Sequence, residues 1–212
     1  MEMMKKGFTS PSYSSNALMA VAIIVALLVL MSSNMKTCSA TTTTTTTKSS
    51  NTNFIRLCCA STTYPNLCFS SLSPYASSVG TNRTKLGIVA LKVSLSATRN
   101  SSALLTKLSL KHDLTANETA NIKDCVSEVG DAKDELKRSL AQMKDLGAPD
   151  FEFTISSIEA WVSAALTDDN TCLDGLDGFN GKVEKWIRKS VTLAARLTSN
   201  ALAIIESITS NY

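Results

Sequence analysis

From about Thr84 to Ile208 the apolar residues recur every three or four positions, the period of helices with one buried face. The first such segment carries Leu86, Val89, Ala90, Val93, Ala97, Leu104 and Leu108, with a bend expected at Asn100-Ser101-Ser102. Lys111 to Leu114 reads as a loop. The second segment opens on Thr115-Ala116-Asn117-Glu118, where Thr and Glu are spaced to cap each other's free N–H groups. Its seam is Ile122, Cys125, Val129, Ala132, Leu136, Leu140 and Met143, and it stops near Gly147-Ala148-Pro149. The third starts from Asp150 as N-cap and runs to about Gly178 through Ile155, Ile158, Val162, Ala165, Cys172, Leu176 and Phe179. After an Asn180-Gly181 turn the fourth has the most regular heptad: Val183, Ile187, Ser190, Ala194, Leu197, Ala201, Ile204 and Ile208. Four long helices with short connections predict an all-α fold, an antiparallel four-helix bundle over 84–208.

Ahead of the bundle lies a shorter pattern. Phe54-Ile55-Arg56-Leu57-Cys58-Cys59 is an amphipathic turn or two of helix, broken at Thr62-Thr63-Tyr64-Pro65. Pro65 suits the first position of a second short helix, which runs from Asn66 to Leu72 and stops before Pro74. Residues 54–75 therefore predict a helical hairpin. Residues 41–53, a Thr run followed by Ser and Asn, have no apolar period and read as a linker. In residues 1–40, Lys5 and Lys6 precede an apolar run of fifteen residues, Ala17 to Met31. That length suits a secretory signal and falls short of a membrane span. Small residues at Cys38-Ser39-Ala40 suit cleavage, with the cut between about 33 and 40. A secreted product that leaves no membrane anchor is expected.

The compartment gives the six cysteines a meaning, because secreted cysteines are read as disulfides. Cutting after Ala40 would leave five, and so one without a partner in the chain. Cys59 and Cys68 lie on the two arms of the hairpin, and a bond there would staple helices too short to persist alone, contributing about 2.5–3 kcal/mol on the chain-entropy model. Cys125 and Cys172 lie on the seams of adjacent antiparallel helices at similar height, so they form the second pair. This leaves Cys58 as the free thiol, with a swap of Cys58 for Cys59 as the rival pairing. Asn82, Asn100 and Asn117 head N-glycosylation sequons.

Composition and charge narrow the function. Eight Gly and four Pro in 212 residues favour helices. The net charge is +3, and removing residues 1–40, with Lys5, Lys6 and Lys36 against Glu2, leaves about +1, which is no footprint for nucleic acid. His112, the one imidazole, falls in a charged loop and reads as solvated. Asp168, Asp169, Asp174 and Asp177 lack the spacing of a calcium loop and read as a solvated face, with Asp169 nearest the seam. Trp161 and Trp186 read as bundle-edge packing. With no phosphate loop, nucleophile elbow or metal helix, the chain reads as a non-enzyme without cofactor or metal.

Several of these residues together resemble a known family. Phe54 to Cys59, Thr62-Thr63-Tyr64-Pro65 and Leu67-Cys68, with eight residues between Cys59 and Cys68, resemble the N-terminal hairpin of the plant invertase/pectin methylesterase inhibitor family. Asp124-Cys125-Val126 with Asp131 to Leu136 is similar to that family's third-cysteine helix, and Trp161 to Gly175 to its fourth-cysteine helix. The resemblance spans 54–208. It implies a hairpin on a four-helix bundle, with the first and second and the third and fourth family cysteines joined. It also implies a non-enzymatic protein of the apoplast or cell wall, in a one-to-one complex with its target enzyme. In the methylesterase branch, bundle helices cover the pectin-binding cleft. In the invertase branch a Pro-Lys-Phe motif enters the active site. Here that place reads Pro149-Asp150-Phe151, with the charge reversed, which points to the methylesterase branch. Candidate partner contacts are Pro149, Asp150 and Phe151 together with Glu128, Asp131 and Glu135 on the outward face of the second bundle helix. The competing expectations are an inhibitor of cell-wall or vacuolar invertase and a non-inhibitory secreted binding or signalling protein.

Overall fold

A computed structural model describes residues 47–146, 149–177 and 181–209. The expected signal segment 1–40, most of the Thr run, and Phe179 lie outside the described residues. Helix α1 is Thr47–Cys59 and α2 is Pro65–Leu72, followed by a 3-10 turn Ser73–Tyr75 and the single turn α3, Ala76–Val79. The bundle helices are α4 Arg83–Ser109, α5 Ala116–Gln142, α6 Phe151–Asp174 and α7 Lys182–Thr209. The described residues contain no strand.

Local chemistry sets most of these boundaries. Pro65 occupies the first turn of α2, where its missing N–H is no loss. Gly80 ends α3 at φ 62°, a conformation that L side chains rarely adopt. Asn82 caps α4 by accepting from the Lys85 N–H at 2.8 Å. The expected capping box opens α5: Thr115 N–H donates to Glu118 Oε2 at 2.7 Å, and Glu118 N–H to Thr115 Oγ1 at 3.2 Å. Asp150 precedes α6, but its side chain makes no cap hydrogen bond, so its role there is at most electrostatic.

Each bundle helix packs on two others, α4 on α5 and α7, and α6 on α5 and α7. The ring therefore closes with the α4–α7 side opposite the α5–α6 side. Two hydroxyl pairs show the antiparallel register of α4 and α7: Ser94 with Thr198 at 2.6 Å and Ser101 with Ser190 at 2.8 Å. The expected bend at Asn100-Ser101-Ser102 does not interrupt α4. Ser101 turns inward to Ser190 and donates to Ala97 O at 3.2 Å, so its hydroxyl is satisfied within the helix pair.

The α4 seam is also rotated from its expected position. Leu91, Leu95 and Leu105 are buried with Leu86, Ala90 and Leu108, while Val89, Val93 and Leu104 lie at its edge. Gly87 lies under Met143 and Ile208, where a Cβ would stand 3.1 Å from the methionine methyl. The hydrophobic core divides into two clusters. One, at the hairpin end, includes Ile55, Leu86, Leu95, Leu136, Ala165 and Ile204. The other includes Leu105, Ile122, Val129, Cys172, Leu176 and Ile187. Between them on α4, α7 and α6 fall the buried polar residues Thr98, Ser101, Thr198 and Asp169.

Two disulfides join described residues. Cys59 bonds Cys68 across the hairpin, with Cα atoms 5.5 Å apart, and Cys125 bonds Cys172 between α5 and α6, at 4.6 Å. Two expectations are corrected. Cys58 is not a free thiol: it is disulfide-bonded and 97% buried at the base of α1, and no described cysteine is free. The count that leaves it over assumes a cut after Ala40. The linker reading also stops short, because 47–53 is helical and extends α1 by about two turns. Phe54 and Ile55 anchor that helix in the hairpin-end core, and packing there outweighs the weak helix preference of Ser, Thr and Asn.

Candidate functional site

The α5–α6 side carries the densest set of interacting acids. On α5, Glu128, Asp131 and Glu135 are spaced three and four residues apart, which sets them on one stripe. On α6, Asp168 faces that stripe: its charge acts on Glu128 and Glu135, and Asp131 acts on it. Helical side chains lean toward the N-terminus of their own helix, so those of antiparallel neighbours lean toward each other across the seam. Glu135 and Asp168 approach in this way, close enough for each carboxyl to act on the other, and Glu135 Oε2 is buried without a hydrogen-bond partner.

Burial is the largest cause that raises the seam carboxyls. It pushes Glu135 up to about 7, with the Asp168 charge and hydrogen bond and the Asp131 charge adding to it and Arg138 opposing. Asp168 is raised too, first by burial and then by Asp131, while its bond to Glu135 pulls the other way. Glu128 is raised by desolvation and by Asp168, Asp131 and Asp124.

Beneath the seam sits Asp169, fully buried between Ala165 and Cys172 on the inward face of α6. Neither of its carboxylate oxygens has a hydrogen-bond partner. Burial, with the Asp168 charge second, pushes its pKa up to about 7. The solvated-face reading is therefore corrected for Asp169. Its position, four after Ala165 and three before Cys172, continues the apolar series through what looked like a polar turn. That spacing was the signal that could have placed it inside.

The Cys125–Cys172 bond staples the two helices at one end of the seam. A shallow groove of about 210 Å³ lies over it, bordered by Asp124, Glu128 and Thr171. At the other end of α6, Pro149 and Asp150 are exposed, while Phe151 is half-buried against the hairpin-end core. The exposed aromatic there is Phe153, 74% accessible and off the seam spacing, a residue that periodicity did not single out. The structure thus separates the six candidate contacts into two groups, an acidic stripe midway along α5 and an aromatic tip at the start of α6. Trp186 is half exposed, with Lys111 Nζ 5.9 Å from its ring centroid.

The described titratable groups that act on one another along this seam are the carboxyls of Glu128, Asp131, Glu135 and Asp168, with Arg138 opposing at Glu135. Among the described residues no group of His, Cys, Asp and Glu could hold a metal ion.

Comparison with known proteins gives the following. Residues 53–204 match the family model described as plant invertase/pectin methylesterase inhibitor. A "21 kDa protein" of Daucus carota is 41% identical over 75% of this chain and 85% of its own length. "Pectinesterase inhibitor 10" of Arabidopsis thaliana is 40% identical over 73% of this chain and 51% of its own length. The crystal structure of a mutant form of a pectin methylesterase inhibitor from Arabidopsis shares the fold, with a TM-score of 0.60 at 18% identity, covering 70% of this chain and 92% of that one.

Proposed function

The chain belongs to the plant invertase/pectin methylesterase inhibitor family, and we propose that it is a secreted inhibitor of pectin methylesterase in the cell wall. It acts without chemistry of its own, forming a one-to-one complex in which the α5–α6 side covers the enzyme's pectin-binding cleft. The observation that carries this reading is the stapled acidic seam. Glu128, Asp131, Glu135 and Asp168 present a rigid, partly desolvated stripe on two helices locked by Cys125–Cys172. Stable interfaces need a desolvated centre with an anchor and a polar rim. Phe153 supplies an anchor and the outer carboxylates a rim.

Asp150 favours methylesterase over invertase. It is exposed at the start of α6, in the place where the invertase branch of the family carries Lys. A negative charge there would repel an enzyme site built to receive a cation.

The test is a titration of purified plant pectin methylesterase and of acid invertase with the mature chain. Methylesterase activity should fall to a plateau at one equivalent, with invertase unaffected. Inhibition of invertase alone, or of neither enzyme, would refute the reading. Charge reversal at Asp131 and Glu135, both to Lys, should raise the inhibition constant by roughly tenfold or more.

A further inference from the structure

The α4–α7 side, opposite the acidic seam, has a different character. A groove of about 570 Å³ runs between α7 and the hairpin, and a second of about 490 Å³ runs between α4, α7 and the turn after α2. Leu193, 46% exposed, borders both, so the two grooves adjoin and together make up a trough on this side. Lys185, Lys189 and Arg196 line the first groove at intervals of four and seven residues along α7. That spacing keeps them on one face of the helix over about 16 Å. All three are exposed. Glu184, the carboxylate in the groove wall, is engaged with Arg188, which also pairs with Asp177.

The hairpin wall of the first groove is tied to α7. The buried Asn200 side chain clamps the hairpin turn from both sides, accepting from Tyr64 N–H at 3.0 Å and donating to Tyr64 O at 3.1 Å. Arg196 lies over the Tyr64 ring at 5.2 Å from its centroid. The Tyr64 ring forms one wall of the groove, with a cation at its face. In the second groove a half-exposed Tyr75 stands among hydroxyls and the Asn100 amide, and Lys92 adds a further cation.

We propose that this trough binds a linear polysaccharide of carboxylated sugars, a polyuronate. The argument is complementarity. Such a chain carries one carboxylate per sugar, and between these charges it has apolar ring faces and hydroxyls. The trough offers a row of cations, the exposed Tyr75 ring that can stack on a ring face, the Tyr64 ring as an apolar wall, and hydroxyl and amide groups for the sugar hydroxyls. A neutral polymer would leave the cations unmatched, and a bilayer surface would leave the concave tyrosine wall unused. The site is separate from the inhibitory surface and does not depend on that reading.

The test uses the mature chain, deglycosylated because Asn100 is also a sequon. Affinity electrophoresis is run in gels holding polygalacturonate, the same polymer fully methyl-esterified, or dextran sulfate, with a parallel sedimentation against vesicles of anionic lipid. Retardation by polygalacturonate and not by the ester is expected, with weaker retardation by dextran sulfate and no vesicle binding. Lys185→Ala with Lys189→Ala should weaken polygalacturonate binding roughly tenfold and flatten its salt dependence. Tyr64→Ala should weaken it with the salt dependence kept, because the Asn200 clamp holds backbone atoms only. Methylesterase inhibition should be unchanged in both variants. No retardation, equal retardation by every polyanion, vesicle binding of similar strength, or an undiminished double variant would each overturn the proposal, and none of them bears on inhibition.

Discussion

The buried carboxyl of Asp169 gives the sharpest quantitative prediction. In the unfolded chain it titrates near 3.8, and in the folded chain near 7. Below 3.8 both states hold the proton and nothing changes. Between the two values only the folded state holds it, so stability falls as pH rises. Above about 7 both states are ionised, and the folded state bears the full cost of a buried, unpartnered charge. At 1.36 kcal/mol per pH unit across that window the loss is about 4 kcal/mol. For a domain of this size that corresponds to roughly 8–16 °C in melting temperature.

Asp169→Asn keeps the shape and polarity of the side chain but cannot ionise. The assay is thermal unfolding of both proteins with disulfides intact, in steps from pH 4 to pH 8. The variant should lie within about 1 kcal/mol of the parent at pH 4, and the gap should open in its favour as pH rises. Glu135 and Asp168 will leave a residual slope of the same sign in both proteins, so the difference between the curves is the readout. Parallel curves, or a variant less stable than the parent at pH 8, would refute the assignment of an uncompensated carboxyl in the core.

Three further outcomes are expected. Burying the Glu135–Asp168 pair against a partner favours its protonated form, so methylesterase binding should weaken as pH rises through about 7, and Glu135→Gln should keep its affinity at pH 7.5; titration calorimetry at pH 5.5 and 7.5 checks both, and a flat parent profile would count against the pair's place in the interface. Replacing Cys125 and Cys172 together by Ala opens a loop of 47 residues and should cost about 4 kcal/mol on the chain-entropy model, seen as a lowered unfolding midpoint with the helical circular dichroism retained; an unchanged midpoint would show that packing alone holds α5 to α6. Alkylation of the denatured, unreduced protein should leave Cys58 unlabelled, and a carbamidomethyl mark on it in the peptide mass map would contradict its bonded state.

Much of this molecule is legible in the linear chain. The boundaries of α4 to α7 follow from the 3.6-residue period, the capping box at Thr115 and the breaks near Pro149 and Gly181, because these signals act within a turn of helix. Periodicity also places Cys125 and Cys172 on facing seams. What it cannot supply is the identity of the neighbour. Asp169 stands on the apolar series, yet whether its carboxylate meets a cation, water or nothing depends on α4, α5 and α7. The rotated seam of α4 has the same origin: Ser94, Thr98 and Ser101 look solvent-facing until Thr198 and Ser190 on α7 meet two of their hydroxyls. The mutual effect of Glu135 and Asp168, 33 residues apart, and the Asn200 clamp on Tyr64, 136 apart, are likewise products of packing. Local spacing determines which face of a helix turns inward. Only the tertiary structure determines what that face finds there, because the free energy of a buried polar group is set almost entirely by its partner.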